Sequence, residues 1–246
     1  MRLNLSGELM SDDWAEMYRS FGYKDGFYCP GDVRKAIGQL AEGEELVLEI
    51  NSIGGLVDGG SEIYSLIDGC QNPTRAVIQS MAASAASYMI MACDQVDICL
   101  PAQMMIHCAH GGGPGTKTKH EQYAQMLGVC DEAILNCYEK RCAGKSDREE
   151  LKALMERETY IGARDAVAWG LADRIVGEET DSGPEMVAAS VCGNIVRAMR
   201  VLPDIRDLKA RRDKEQVEKQ RLELAREALR FAALDNEACG LLEGTV

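Results

Sequence analysis

Residues 46–79, LVLEINSIGGLVDGGSEIYSLIDGCQNPTRAVIQ, carry the pattern that decides the fold. Leu46-Val47-Leu48-Glu49-Ile50 is a short β-rich run, and Asn51-Ser52-Ile53-Gly54-Gly55 behind it reads as a turn. From about Asp58 to Ile67 the apolar residues Ile63, Leu66 and Ile67 fall at helical spacing. Arg75 to Gln79 reads as a second strand. A strand, a helix and a strand in so short a segment form a crossover unit. Repetition of that unit predicts a mostly parallel sheet with right-handed connections.

The alternation continues along the chain. Ala82 to Ala92 reads as a helix of small residues, Val96 to Leu100 as a third strand closed by Pro101, and Met104 to Ile106 as a short fourth. Lys117 to about Ala143 is a long amphipathic pattern, and Arg164 to Trp169 a last short helix before Gly170. The fold class expected for residues 1–176 is therefore α/β. Composition then changes. Gly177 to Pro184 is polar and turn-rich, so 177–200 reads as a linker. Residues 201–246 read as a charged helical arm at the C-terminal side, with Lys209 to Arg221 almost wholly charged and too thin an apolar stripe to pack.

Bulk composition removes several classes of function. At 246 residues the chain can bury one full α/β core and carry an appendage. Its net charge of −13 repels phosphate backbones, so nucleic acid is not an expected partner. The longest nearly uninterrupted apolar run, Met81 to Cys93, falls short of the ~20 residues that cross a bilayer. The opening MRLNLSGELM lacks the apolar core of a signal peptide, so a cytoplasmic protein without membrane attachment is expected. Ten cysteines include no C-x-x-C pair and only three histidines could assist them. No metal or cofactor is expected, and the cysteines read as reduced, small core residues.

Three local features could carry chemistry. Ser84, in Met81-Ala82-Ala83-Ser84-Ala85-Ala86-Ser87, follows a strand and sits in the first turn of a helix, where unpaired N–H groups and the positive end of the dipole are concentrated. Taken alone it would be a helix cap. Gly54-Gly55 stands at the carboxyl end of a strand, where open α/β sheets bind ligands. His107 ends the Met104–Ile106 strand and precedes Gly111-Gly112-Gly113-Pro114-Gly115, a place suited to a general base facing a cleft. His110 and His120 lie in polar segments that read as exposed. A serine nucleophile also needs an orienting carboxylate, for which Glu156, Glu158, Asp165 and Asp173 all stay open on spacing alone.

At these residues the chain resembles the ClpP-type serine peptidases, and more closely their bacteriophage relatives, the prohead or head-maturation proteases. The resemblance rests on Ile50-Asn51-Ser52-Ile53-Gly54-Gly55, Ala82-Ala83-Ser84-Ala85-Ala86-Ser87, Met105-Ile106-His107 and the run Ala163 to Asp173, ARDAVAWGLAD, in the family's order. It implies the ClpP/crotonase-like fold of repeated ββα units. It implies Ser84 as nucleophile, His107 as base, and backbone N–H groups of Gly55 and Ala85 as the oxyanion hole, with Gly54 beside the substrate. The acid falls on Glu158, where the family pattern has Asp, and Ile53 stands where Pro is usual. Members act on polypeptides as homo-oligomeric rings, often heptamers stacked in pairs. For a phage or prophage protein in a bacterial cell, capsid or scaffold proteins become expected partners, met through the arm. The chain lacks the family's extension ahead of the first strand, and dependence on an unfoldase is not expected. Rival readings are a crotonase-like enzyme acting on acyl-CoA, a capsid-assembly component with little activity, and a general cytosolic peptidase.

Overall fold

The computed structural model describes residues 1–178. Apart from Gly177 and Glu178, the expected linker and arm lie outside the described residues. The chain runs β1 (Arg2–Leu9), α1 (Asp12–Ser20), β2 (Phe27–Tyr28), α2 (Pro30–Ile37), β3 (Leu46–Gly55), α3 (Val57–Asp68), β4 (Thr74–Ala83), α4 (Ala85–Met89) and β5 (Gln95–Cys99). It continues through β6 (Gln103–Ile106), α5 (Lys117–Cys142), α6 (Arg148–Glu156), β7 (Thr159–Gly162), α7 (Ala163–Ala168) and β8 (Arg174–Val176). The strands form one sheet in the order β2-β1-β3-β4-β5-β8. Every pairing along this path is parallel, while β6 pairs in parallel with β4 and antiparallel with β7. This is the mixed α/β architecture with a mostly parallel sheet that the sequence predicts.

Central strands of such a sheet are covered on both faces, which is why Leu46-Val47-Leu48 and Ala76-Val77-Ile78 are apolar without alternation and fully buried. Helix ends follow local chemistry. Ser11 caps α1 by accepting from the Trp14 N–H, Pro30 opens α2, and Asp147 with Glu150 forms a reciprocal capping box on α6. The long α5 buries Ile134, Leu135, Tyr138 and Cys142, all in its second half. Its first half, with Met126 and Val129, is mostly exposed.

Two expectations are corrected. Asn51 to Gly55 is not a turn but the end of β3, paired with β1 through Glu8↔Gly54 and Leu9↔Gly55 after a register shift. The glycines that suggest a turn are there because β1 runs so close. A Cβ on Gly55 would stand 1.9 Å from the Leu9 carbonyl oxygen. Likewise Ala82-Ala83 is not helix but the end of β4, held by β6 through Ala82↔Met104 and Ala83↔Met105. Small residues are ambiguous between strand and helix, and here the neighbouring strand decides.

Eight cysteines lie among the described residues and none is in a disulfide. Cys29, Cys93 and Cys142 are buried and the other five partly so. Burial pushes the Cys29 and Cys142 thiols up to about 11, which keeps them protonated. No described helix is long and apolar enough to cross a membrane.

One buried charge ties three strands together. Asp97, in the apolar run of β5, has no exposed surface, and it accepts from Arg75 Nε of β4 at 2.7 Å and Arg174 Nε of β8 at 3.0 Å. Gln95 Nε2 adds a third donor at 2.8 Å. Truncating Asp97 removes the buried carboxylate that both arginines share. Asp97→Ala is expected to cost about 1–3 kcal/mol, read as a lowered midpoint of chemical denaturation.

Candidate active site

Ser84 stands at the junction of β4 and α4 with φ 55° and ψ −128°, a conformation that non-glycine residues rarely hold. The sequence places it inside the first helical turn, and the structure places it one step earlier. Its hydroxyl makes no capping bond to α4. Instead Ser84 Oγ lies 2.7 Å from Nε2 of His107. A sharp, strained strand-to-helix turn of this kind pushes a side chain out of the sheet edge and into the open. The Ser84 N–H donates to the Met105 carbonyl oxygen at 2.8 Å, so the turn is stitched to β6, the strand that carries His107 at its end.

Gly54 is buried behind this turn. A Cβ there would lie 2.7 Å from Ser84 Cβ and 2.6 Å from the Ala83 carbonyl oxygen, and φ of 89° adds strain for any other residue. Its N–H is taken by Ser52 Oγ at 3.0 Å. Gly55, by contrast, lines a small pocket of about 50 Å³ together with Ser84, Ala85, Tyr88, His107 and His110. Ala85 is the first residue of α4, so its N–H has no intrahelical acceptor. The structure thus brings Ser84, His107, Gly55 and Ala85 to one pocket, with Gly54 packed behind it.

Glu158 is exposed, has φ of 51°, and sits in the turn between α6 and β7. Its negative charge acts on His107, but among the described residues no hydrogen bond joins the two. Of the other carboxylates open in the sequence, Asp173 is engaged by the Val96 N–H at 2.6 Å and by Arg141. Ser87, three residues beyond Ser84, is fully buried and donates from Oγ to the Ser84 carbonyl oxygen at 2.6 Å.

Two groups stand beside His107 where the sequence does not place them: His110, read there as another candidate in an exposed segment, and Asp131. The ring of His110 lies 5.1 Å from that of His107, centroid to centroid. Asp131 of α5 reaches over to accept from the Ala109 N–H at 2.6 Å, and its charge also acts on His107. The i, i+3 spacing of the two histidines was the only local hint of the first. Burial holds the His107 imidazolium below its usual range, His110 reinforces that effect, and Glu158 and Asp131 oppose it. His107 is therefore neutral at pH 7 and can accept a proton from Ser84 Oγ. The arrangement provides a hydroxyl, a neutral base in contact with it, and two backbone donors' residues around one small space.

A family model described as Clp protease matches residues 36–179, more than half of the chain. The chain belongs to that family, whose members are serine-type peptidases, and to the hydrolases at that level.

Histidine resonances followed by NMR check the electrostatics directly. His107 is expected to titrate below the ordinary value of about 6.5. Glu158→Gln removes a charge that favours the imidazolium and moves the midpoint further down, whereas His110→Asn removes a repulsion and moves it up.

Proposed function

On the premise of that family membership, we propose that the chain is a serine endopeptidase that cleaves polypeptides with Ser84 as nucleophile, His107 as general base and Glu158 as the acid. The observation that carries this reading is the 2.7 Å contact between His107 Nε2 and Ser84 Oγ at a strained strand-to-helix turn. His107 takes the Ser84 proton as Oγ attacks the peptide carbonyl carbon. The tetrahedral oxyanion is met by the N–H groups of Gly55 and Ala85. His107 then passes the proton to the leaving amine, and water, with His107 again as base, hydrolyses the acyl-enzyme. The Glu158 charge stabilises the imidazolium that forms in each half-reaction. No step calls for a metal or cofactor. A crotonase-like use of the fold needs no serine against a histidine, so the same contact speaks for the peptidase.

The peptidase domain in this reading is residues 1–176, working as a homo-oligomeric ring. Exposure of the first half of α5, with Met126 and Val129, supports its use against a second ring. The narrower role, a head-maturation protease of a phage or prophage acting on capsid or scaffold proteins through an arm at 201–246, rests on the resemblance of the four quoted stretches.

Labelling of the purified protein by a fluorophosphonate probe tests the chemistry, and its size in solution tests the ring. Ser84→Ala is expected to abolish the label and to lower peptide cleavage by on the order of 10⁴-fold or more. Ser87→Ala is expected to retain the label at the end point of a long incubation, whatever its rate. A label that survives Ser84→Ala and vanishes in Ser87→Ala assigns the wrong serine. Wild-type protein that forms rings but neither labels nor cuts favours a structural assembly component. Cleavage of a capsid or scaffold protein by the wild type and not by Ser84→Ala is the outcome expected of a head-maturation protease.

A further inference from the structure

The hydroxyls of Ser87 and Tyr138 form a buried chain that ends on the backbone of Ser84. Ser87 Oγ lies 2.6 Å from the Ser84 carbonyl oxygen and 2.6 Å from the Tyr138 hydroxyl. A carbonyl oxygen can only accept, so the single Ser87 proton is committed to Ser84, and Tyr138 is the donor to Ser87. The direction of the chain is therefore fixed, from Tyr138 through Ser87 to Ser84. Both residues are buried, Ser87 0% and Tyr138 1% exposed, and Tyr138 also lines the pocket that holds Ser84 and His107. Burial pushes the Tyr138 phenol far above its ordinary range, with the bond to Ser87 opposing only in part, so it remains a protonated donor.

A second observation gives this chain something to hold. A non-glycine residue at φ 55° and ψ −128° persists only when its surroundings over-determine it. Three bonds do so at Ser84. Its N–H is taken by Met105, and its carbonyl oxygen by both the Ser87 N–H at 2.9 Å and Ser87 Oγ. That carbonyl shares one planar, trans peptide unit with the Ala85 N–H, so fixing the direction of the oxygen fixes the opposite direction of the N–H.

Resting on the peptidase reading of Ser84, we propose that Ser87 and Tyr138 are positioning residues: by pinning the Ser84 carbonyl oxygen they aim the Ala85 N–H at the oxyanion and hold Ser84 Oγ against His107. Neither touches the reacting atoms. Tyr138 belongs to α5, so this chain couples the seat of that helix to the geometry of the nucleophile through a Ser87–Tyr138 bond that spans 51 residues of sequence. Tyr138 donates to Ser87, and a donor that is itself polarised binds its acceptor more tightly, so loss at the far end is felt at Ser84.

Tyr138→Phe keeps the ring and removes the donor, and Ser87→Ala removes the bond to Ser84 itself. Each variant is expected to slow fluorophosphonate labelling of Ser84 about 10- to 100-fold, as small misplacements in active sites do. For a peptide substrate the loss falls on kcat, with KM within about twofold, since the oxyanion exists only beyond the ground state. The double variant is expected to be no slower than the slower single one, because both residues act through one chain. Melting temperature and size measured on the same samples separate this from loss of fold, and Ser87→Ala carries the comparison if Tyr138→Phe fails to fold. Wild-type labelling rates in folded Tyr138→Phe and Ser87→Ala, losses in KM alone, or losses that multiply in the double variant overturn the proposal. Absence of any label on wild-type Ser84 overturns the peptidase reading instead.

Discussion

Between the carboxyl end of β3 and the turn that carries Ser84 there is no room for a side chain. A Cβ on Gly54 would press on Ser84 and on the Ala83 carbonyl, and one on Gly55 would collide with the backbone of β1. The close approach brings the end of one strand and the start of α4 around a single pocket. Two consecutive glycines are the condition for it, since both also hold positive φ. Everything polar in the site is arranged around that approach. The strained serine is stitched to β6, and β6 delivers His107.

His107 is balanced between opposing fields. Burial and the neighbouring His110 ring disfavour its charged form, and two carboxylates from different elements favour it. A histidine so placed is held toward its neutral form, and negative charge stands ready to meet it on protonation. Asp131 also holds the backbone just past the histidine, through the Ala109 N–H. The segment that follows His107 is thus tied to α5 through this bond.

Much of this was legible in the sequence because its cause is local. Strand–helix alternation, the glycine pair, a serine after a strand and a histidine at a strand end are all short-range patterns. Where the reading failed, a partner strand had overruled local preference. Asn51 to Gly55 became strand under the pull of β1, and Ala82-Ala83 under that of β6. Glu158 reached the same neighbourhood as His107, although spacing alone could not choose among four carboxylates. Long-range ties left no mark at all. Nothing local to Asp97 announces its arginine partners, which lie 22 and 77 residues away. Nothing in the sequence around Tyr138 points to Ser87, 51 residues away. Strands as short as β7 and β8 have too few residues to show a period.

The Ser84 N–H bond to Met105 has a consequence for how freely the chain can vary. Ser84 and His107 are set against each other by the register of β4 on β6, with Ala83 opposite Met105 and His107 two residues further on. Slipping that register by one residue would displace His107 by about 3.3 Å and turn its side chain to the other face of the sheet. The glycine-rich stretch from Gly111 to Gly115 lies outside that ladder. Insertions and deletions there leave the serine–histidine pair in tune, so the stretch can diverge in length and composition while the ladder behind it cannot.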